Sequence, residues 1–186
     1  MDELVKRVNA EPYLLESLRA VQASGLPDAW IGAGVIRDVV WGQLHGGFEP
    51  QLVRDVDVAY FDAGDLREER DKIAEARLAE LLDRPWEAVN QAAVHTWFAQ
   101  WYGEPPVPPL TGIHEAVGTA PETATSVALR LVGEDILVCA PLGLDDLLDG
   151  VWRHNPTCVG LDRSLARLRR HRIAERWPRV TVIRPG

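Results

Sequence analysis

Asp55 and Asp57 are one residue apart in the run Leu52-Val53-Arg54-Asp55-Val56-Asp57-Val58-Ala59-Tyr60-Phe61. The centre of that run alternates apolar and polar residues with a period of two, which predicts a strand carrying both carboxylates on one face, about 7 Å apart at the backbone. With their oxygens about 5 Å apart and an effective dielectric of about 20, they repel by about 3 kcal/mol, and a cation or bulk solvent must relieve that. Val53, Val56, Val58 and Tyr60 argue against a wholly solvated strand. Hard oxygen donors of this kind suit Mg²⁺ or Mn²⁺, with substrate phosphates completing the shell.

About twenty residues earlier stands Gly32-Ala33-Gly34-Val35-Ile36-Arg37, glycines between a short apolar run, Ala29-Trp30-Ile31, and a helical segment, Val35 to His45. Backbone N–H groups at a helix start are unpaired and the macrodipole favours anions there, so Gly32 and Gly34 are candidates to cradle phosphate. A dinucleotide fold wants a small residue where Arg37 stands, and no P-loop run is present. Arg37, one turn into the helix, has two open uses: it reaches a phosphate, or it pairs with Asp38 or Asp62.

The remaining chemistry-bearing side chains suggest structural roles. His95 and His114 have no partners at metal-ligand spacing, and His154 with Cys158 lacks a third ligand. Asp145-Asp146 suits the start of a short helix. The seven tryptophans, among them Trp30, Trp41, Trp86 and Trp97, are expected in core and cleft packing.

Taken together, Trp30-Ile-Gly-Ala-Gly-Val-Ile-Arg37-Asp-Val-Val-Trp41, Asp55-Val-Asp-Val-Ala-Tyr-Phe-Asp62, Trp86-Glu-Ala-Val-Asn-Gln91 with Val94-His95, Ala140-Pro-Leu-Gly-Leu-Asp-Asp146 and Asn155-Pro156 resemble a family of small bacterial nucleotidyltransferase-like proteins. That family lies within the DNA polymerase beta nucleotidyltransferase superfamily, and the resemblance spans about residues 13 to 178. It implies transfer of a nucleotidyl group from a nucleoside triphosphate to a hydroxyl, with carboxylate-held divalent metals assisting attack and departure. It assigns Gly32 and Gly34 to the phosphate turn and Asp55 and Asp57 to the metal. It also suggests Glu87 as a third carboxylate, since the superfamily places that acid on the neighbouring strand, and makes Asn90 a hydrogen-bonder of backbone or nucleotide. The family more often has Asn where Asp38 stands, and an acid aimed at phosphates would weaken their binding.

The elements that must position these residues follow from spacing and breakers. The first thirty residues read helical until Ser24-Gly25-Leu26-Pro27-Asp28, and Gly46-Gly47 closes the helix after the glycine turn. Asp65 to Asp83 predicts an amphipathic helix with Ile73, Ala76, Leu78, Leu81 and Leu82 inward. Glu87 to Asn90 predicts a strand and Ala92 to Tyr102 a helix. Residues 126–132 and 136–140 predict a hairpin, Leu144 to Leu148 a short helix and Leu161 to Trp177 an Arg-rich one, while Pro105 to Pro109 should run extended.

At 186 residues, 46% apolar and 26% charged, the sequence predicts one α+β domain over 1–186, its core about 25–100: a small mixed sheet flanked by helices, with an added hairpin and a C-terminal helix. A chain of this length buries a real core without metal or disulfide staples. No export signal or apolar span is present, so a cytoplasmic protein with two reduced thiols, Cys139 and Cys158, and no membrane partner is expected. Residues 1–150 hold 11 basic against 26 acidic side chains, and residues 151–186 hold 9 against 2. That asymmetry predicts a basic tail docked on an acidic body, with Leu165, Leu168, Arg172 and Trp177 at the junction, and no RNA partner. The partners expected are a nucleoside triphosphate and an unidentified hydroxyl acceptor. A catalytically silent nucleotide-binding or interaction domain of the same fold is the competing expectation. A tRNA nucleotidyltransferase-type activity ranks last, for want of an appended RNA-binding domain.

Overall fold

A computed structural model describes residues 1–103, 105–157 and 160–184. Pro12, favourable in a first helical turn, divides the opening stretch into α1 (Asp2–Asn9) and α2 (Pro12–Ser24), which Gly25 ends in the left-handed region at φ 67°. Strand β1 (Trp30–Gly32) then runs through Ala33 into α3 (Gly34–Leu44). β2 (Val56–Tyr60), α4 (Glu69–Leu81), β3 (Trp86–Asn90) and α5 (Val94–Tyr102) follow. The chain continues through α6 (Ile113–Gly118), the hairpin strands β4 (Ala128–Val132) and β5 (Asp135–Cys139), and α7 (Asp145–Leu148). It ends in β6 (Val151–Arg153), α8 (Leu161–Arg170), α9 (Ile173–Arg176) and β7 (Thr181–Ile183).

The five strands β3-β2-β1-β4-β5 form one mixed sheet, in which β2 and β3 run parallel and the other pairs antiparallel. The predicted hairpin therefore extends the sheet at β1. Ile31 sits between Val58 and Leu129, and all three are buried with Val56, Tyr60 and Ala88 on one sheet face. The other face carries Asp57, Ala59, Glu87 and Val89, and α5 and α6 cover only part of it. Helix α6 and the parallel pair β6–β7 were not expected from the sequence.

Helix α4 corrects the predicted face. Ala74 and Leu78 point inward, while Ile73 and Leu81 are exposed by 55% and 47%; Ala76 is exposed and Leu82 half-buried. The face through 71, 74, 75 and 78 wins because β3 is an edge strand whose outward amides need acceptors. Asp71 accepts from the Asn90 amide at 2.8 Å and the Tyr60 hydroxyl at 2.7 Å, and Glu75 accepts from the Ala88 amide at 3.1 Å. Asn90 in turn staples the loop before α4, its side chain donating to the Asp62 and Asp65 carbonyls and accepting from the Asp62 amide.

The basic tail is two helices, not one, because Arg172 adopts φ 51° between α8 and α9. It docks as expected: Leu168 and Trp177 are buried, Arg167 meets Glu122 at 3.3 Å, and Arg176 meets Asp38 at 2.9 Å. Arg172 instead pairs with Glu175 within the tail. Asp146 pairs with Arg153 at 2.8 Å instead of capping α7. Cys139 is a buried free thiol, and Cys158 lies outside the described residues.

Two expectations follow. Asp38 is 6% exposed and holds both Arg37 and Arg176, so Asp38→Asn should cost about 3 kcal/mol in urea unfolding by leaving two guanidiniums short of charge; a neutral result would mean packing alone holds them. Ala33, at φ 55° and ψ −117°, occupies a conformation that a type II′ turn gives to glycine, so Ala33→Gly should gain about 1 kcal/mol where an unstrained alanine would lose stability.

Candidate active site

Parallel pairing of β2 with β3 puts Asp57 directly opposite Glu87, side chains on one face. Asp55, two residues before Asp57, shares that side. The turn from β1 into α3 brings Gly34 over them: an ideal Cβ there would lie 3.9 Å from Asp57 Oδ2, 4.0 Å from Asp55 Oδ1 and 3.8 Å from Arg37 Nη2. Asp55 and Asp57 thus face the Gly34 turn together, and Glu87 lines the same cavity from the neighbouring strand. Gly32 lies against the Val127 carbonyl, 3.7 Å from where its Cβ would be, and supports the turn from behind.

The carboxylates perturb each other. Burial, then Asp55, then Glu87 push Asp57 up to about 7, against the opposing effect of the Gly34 amide that donates to it and of Arg167. Glu87 is raised by partial burial, then by Asp55 and Glu75, with Arg170 and Arg167 opposing. Among the described residues no group of three or more His, Cys, Asp or Glu is gathered tightly enough to hold a metal ion by itself.

These acids line a cavity of about 780 Å³ that is otherwise mostly basic in its charged lining: Arg37, Arg54, Arg163, Arg167, Arg170 and Arg176 line it, with His171. Arg163, Arg167 and Arg170 fall at i, i+4 and i+7 of α8, one helix face. Arg163 also donates to the Tyr102 carbonyl and stacks over that ring at 5.1 Å, joining α8 to α5. Burial, followed by Arg37, Arg167, Arg170 and Arg54, lowers His171 to about 4. Its Nε2 is buried with no hydrogen-bond partner among the described residues.

Of the two uses open to Arg37, the structure shows the Asp38 pair, with Nε at 3.0 Å and Nη2 at 2.7 Å, while Asp62 goes to Arg70. Arg37 still borders the cavity, its guanidinium 5.8 Å from the Trp41 ring and 5.4 Å from that of Trp177. Asp38 is neutralised by two guanidiniums and so does not confront phosphates as a bare acid. Neither His95 nor His114 lines the cavity. Arg54, Arg163, Arg167, Arg170 and His171 are the residues sequence reasoning missed here. The i, i+4, i+7 arginines were the available signal, but the tail reads equally well as a docking surface for the acidic body, which it also is.

Comparison with known proteins agrees with this fold. A solved structure described as an NMR structure that reveals a CCA-adding enzyme head domain is 26% identical, covers all of this chain and 96% of its own, and superposes with a TM-score of 0.81. No curated protein matches the chain. A family profile described as nucleotidyltransferase matches residues 19–182. The chain belongs to that nucleotidyltransferase family.

Proposed function

We propose that the protein transfers a nucleotidyl group from a nucleoside triphosphate to an acceptor hydroxyl with the help of Mg²⁺ or Mn²⁺. The observation that carries this reading is the juxtaposition of Asp55, Asp57 and Glu87 with an arginine wall in one cavity of nucleotide size. The residues fit a hard divalent cation: two carboxylate oxygens face the same Gly34 turn, and Asp57 holds a proton tightly where a cation would relieve the same repulsion. Mg²⁺ is commonly held by one or two carboxylates plus phosphate oxygens, so the lack of a closed three-ligand cluster does not count against it. When bound, the ion supplies Lewis acidity toward the phosphate and acceptor oxygens.

The chain's own groups divide the remaining work. Arg54, Arg167 and Arg170 bind the β- and γ-phosphates and stabilise charge on the departing pyrophosphate, as fixed guanidiniums do without reorganising. The Gly34 amide is placed for a phosphate oxygen once Asp57 no longer claims it. Glu87, exposed at the sheet edge, accepts the acceptor's proton. A silent binding domain is the second reading, favoured by the Gly34 amide being engaged with Asp57. Incubating the protein with each labelled triphosphate, Mg²⁺ or Mn²⁺ and a cell extract separates the two: label on an acceptor with pyrophosphate released supports transfer, while saturable binding without release supports the silent domain.

Two measurements test the parts. Mg²⁺ with ATP should raise the thermal midpoint, by about 2.7 kcal/mol of stabilisation at a hundredfold excess over Kd, and ATP in EDTA should do so much less. Asp55→Asn with Asp57→Asn should stay folded and lose the metal-dependent part; equal shifts with and without metal would exclude a shared metal site. In EDTA without nucleotide, Asp57 stays protonated to about pH 7 when folded but ionises near 3.8 when unfolded. Between those values the folded state holds the extra proton, so stability falls as pH rises, by at most about 1.4 kcal/mol per pH unit. Asp57→Asn should remove that slope in urea unfolding at pH 5 and pH 7; identical slopes would refute the assignment.

A further inference from the structure

The cleft has a second arm. Beyond Asp57 and Glu87 the next residues on the same sheet face are Ala59 and Val89, about 7 Å further along the strands. Together with Val94, Trp97 and Val117 they line a space of about 280 Å³. The arginine arm lies the other way along β2, past Asp55 and Arg54. Asp57, Glu87 and Arg167 border both arms, and among the described residues lining the second arm they are its only charged side chains. Asp57 and Glu87 therefore sit at a junction between a cationic arm and a largely apolar one, with Asp55 on the cationic side.

Direct displacement at the α-phosphorus needs the attacking and leaving oxygens in line, on opposite sides. The pyrophosphate belongs among the arginines, so the attacking oxygen arrives from the apolar arm. Resting on the nucleotidyl-transfer reading, we infer that this arm is the acceptor subsite and takes a hydroxyl carried on an uncharged ring, aromatic or aliphatic, from a small molecule. Its volume, at the low end for ligand sites, suits one ring and its hydroxyl. A nucleic-acid 3′ end would press phosphates against Val89, Val94 and Val117, which offer no donors, and stripping water from those charges is costly. Helix α5 suits a ring: none of its residues is fully buried, and Trp97 packs edgewise on Trp101 at 5.9 Å, leaving aromatic surface toward the cleft. In the step itself the acceptor oxygen bonds to the α-phosphorus and the bond from that phosphorus to the bridging oxygen of the β-phosphate breaks. The hydroxyl proton passes to Glu87, and pyrophosphate departs along the arginine arm.

The test titrates N-acetyltyrosinamide, an uncharged phenol, onto the full chain holding Mg²⁺ and α,β-methylene-ATP, with a short RNA ending in a free 3′ hydroxyl in parallel. The phenol should bind saturably, and Val89→Glu should weaken it at least tenfold while the nucleotide analogue binds within twofold of wild type. Trp97→Ala, further from the strands, gives the same readout should the first variant not fold. Absence of phenol binding, indifference to these variants, or RNA binding that the same variants abolish would each overturn the acceptor assignment. Failure of the analogue itself to bind the wild-type protein would overturn the triphosphate reading beneath it.

Discussion

Three carboxylates, Asp57 and Glu87 on adjacent strands and Asp55 just ahead of β2, repel one another, and much of this molecule is arranged around that repulsion. Parallel register fixes Glu87 opposite Asp57, so the strands cannot separate those two charges without breaking the sheet, and Asp55, just ahead of β2, faces the same Gly34 turn as Asp57. The compensation comes from the far end of the chain, where α8 presents arginines to the cavity. A wall of guanidiniums is itself unstable without anions, so acidic floor and basic wall each make the other tolerable, and the proposed triphosphate with its cation would satisfy both.

That arrangement requires the tail to be held firmly, which explains the density of contacts at its docking point. Trp177 lies edge-on to Trp41 at 5.3 Å, Arg176 stacks on Trp177 at 4.1 Å, and the Trp41 indole donates to the Leu147 carbonyl at 2.9 Å. Asp38 sits at the centre, shared between Arg37 from its own helix and Arg176 from the tail. Asp38 thus has a structural role, its charge tying the basic tail to the glycine-turn helix.

The strand pair, the glycine turn and the hairpin were legible in the sequence because each is written locally, in alternation, in glycines at a junction and in a two-residue turn. Asp55 and Asp57 stood out through their spacing, and Glu87 through the resemblance to the superfamily; the structure lines one cavity with all three. What was not legible depends on long-range partners. Ile73 looks like a core residue, yet α4 turns Asp71 and Glu75 inward to satisfy the edge amides of β3, a demand visible only when β3 is known to be the edge. The arginines of α8 carried a face but no address, because nothing local distinguishes a helix that packs on acids from one that encloses their ligand.

The edge position of β3 also separates the duties of the acids. Asp71 and Glu75 occupy outward amides of β3, so the edge needs no sixth strand and stays open beside the cavity. Burial and the neighbouring Asp55 and Glu87 push Asp57 up to about 7, against the Gly34 amide that donates to it. Glu87 keeps contact with water on the exposed edge. Under the proposed reading, a carboxylate crowded by like charges is the one a cation would relieve, whereas one in contact with water is the one suited to take a proton from a substrate and pass it on. The same three residues that create the electrostatic problem are thereby unequal, and the inequality follows from where the sheet ends.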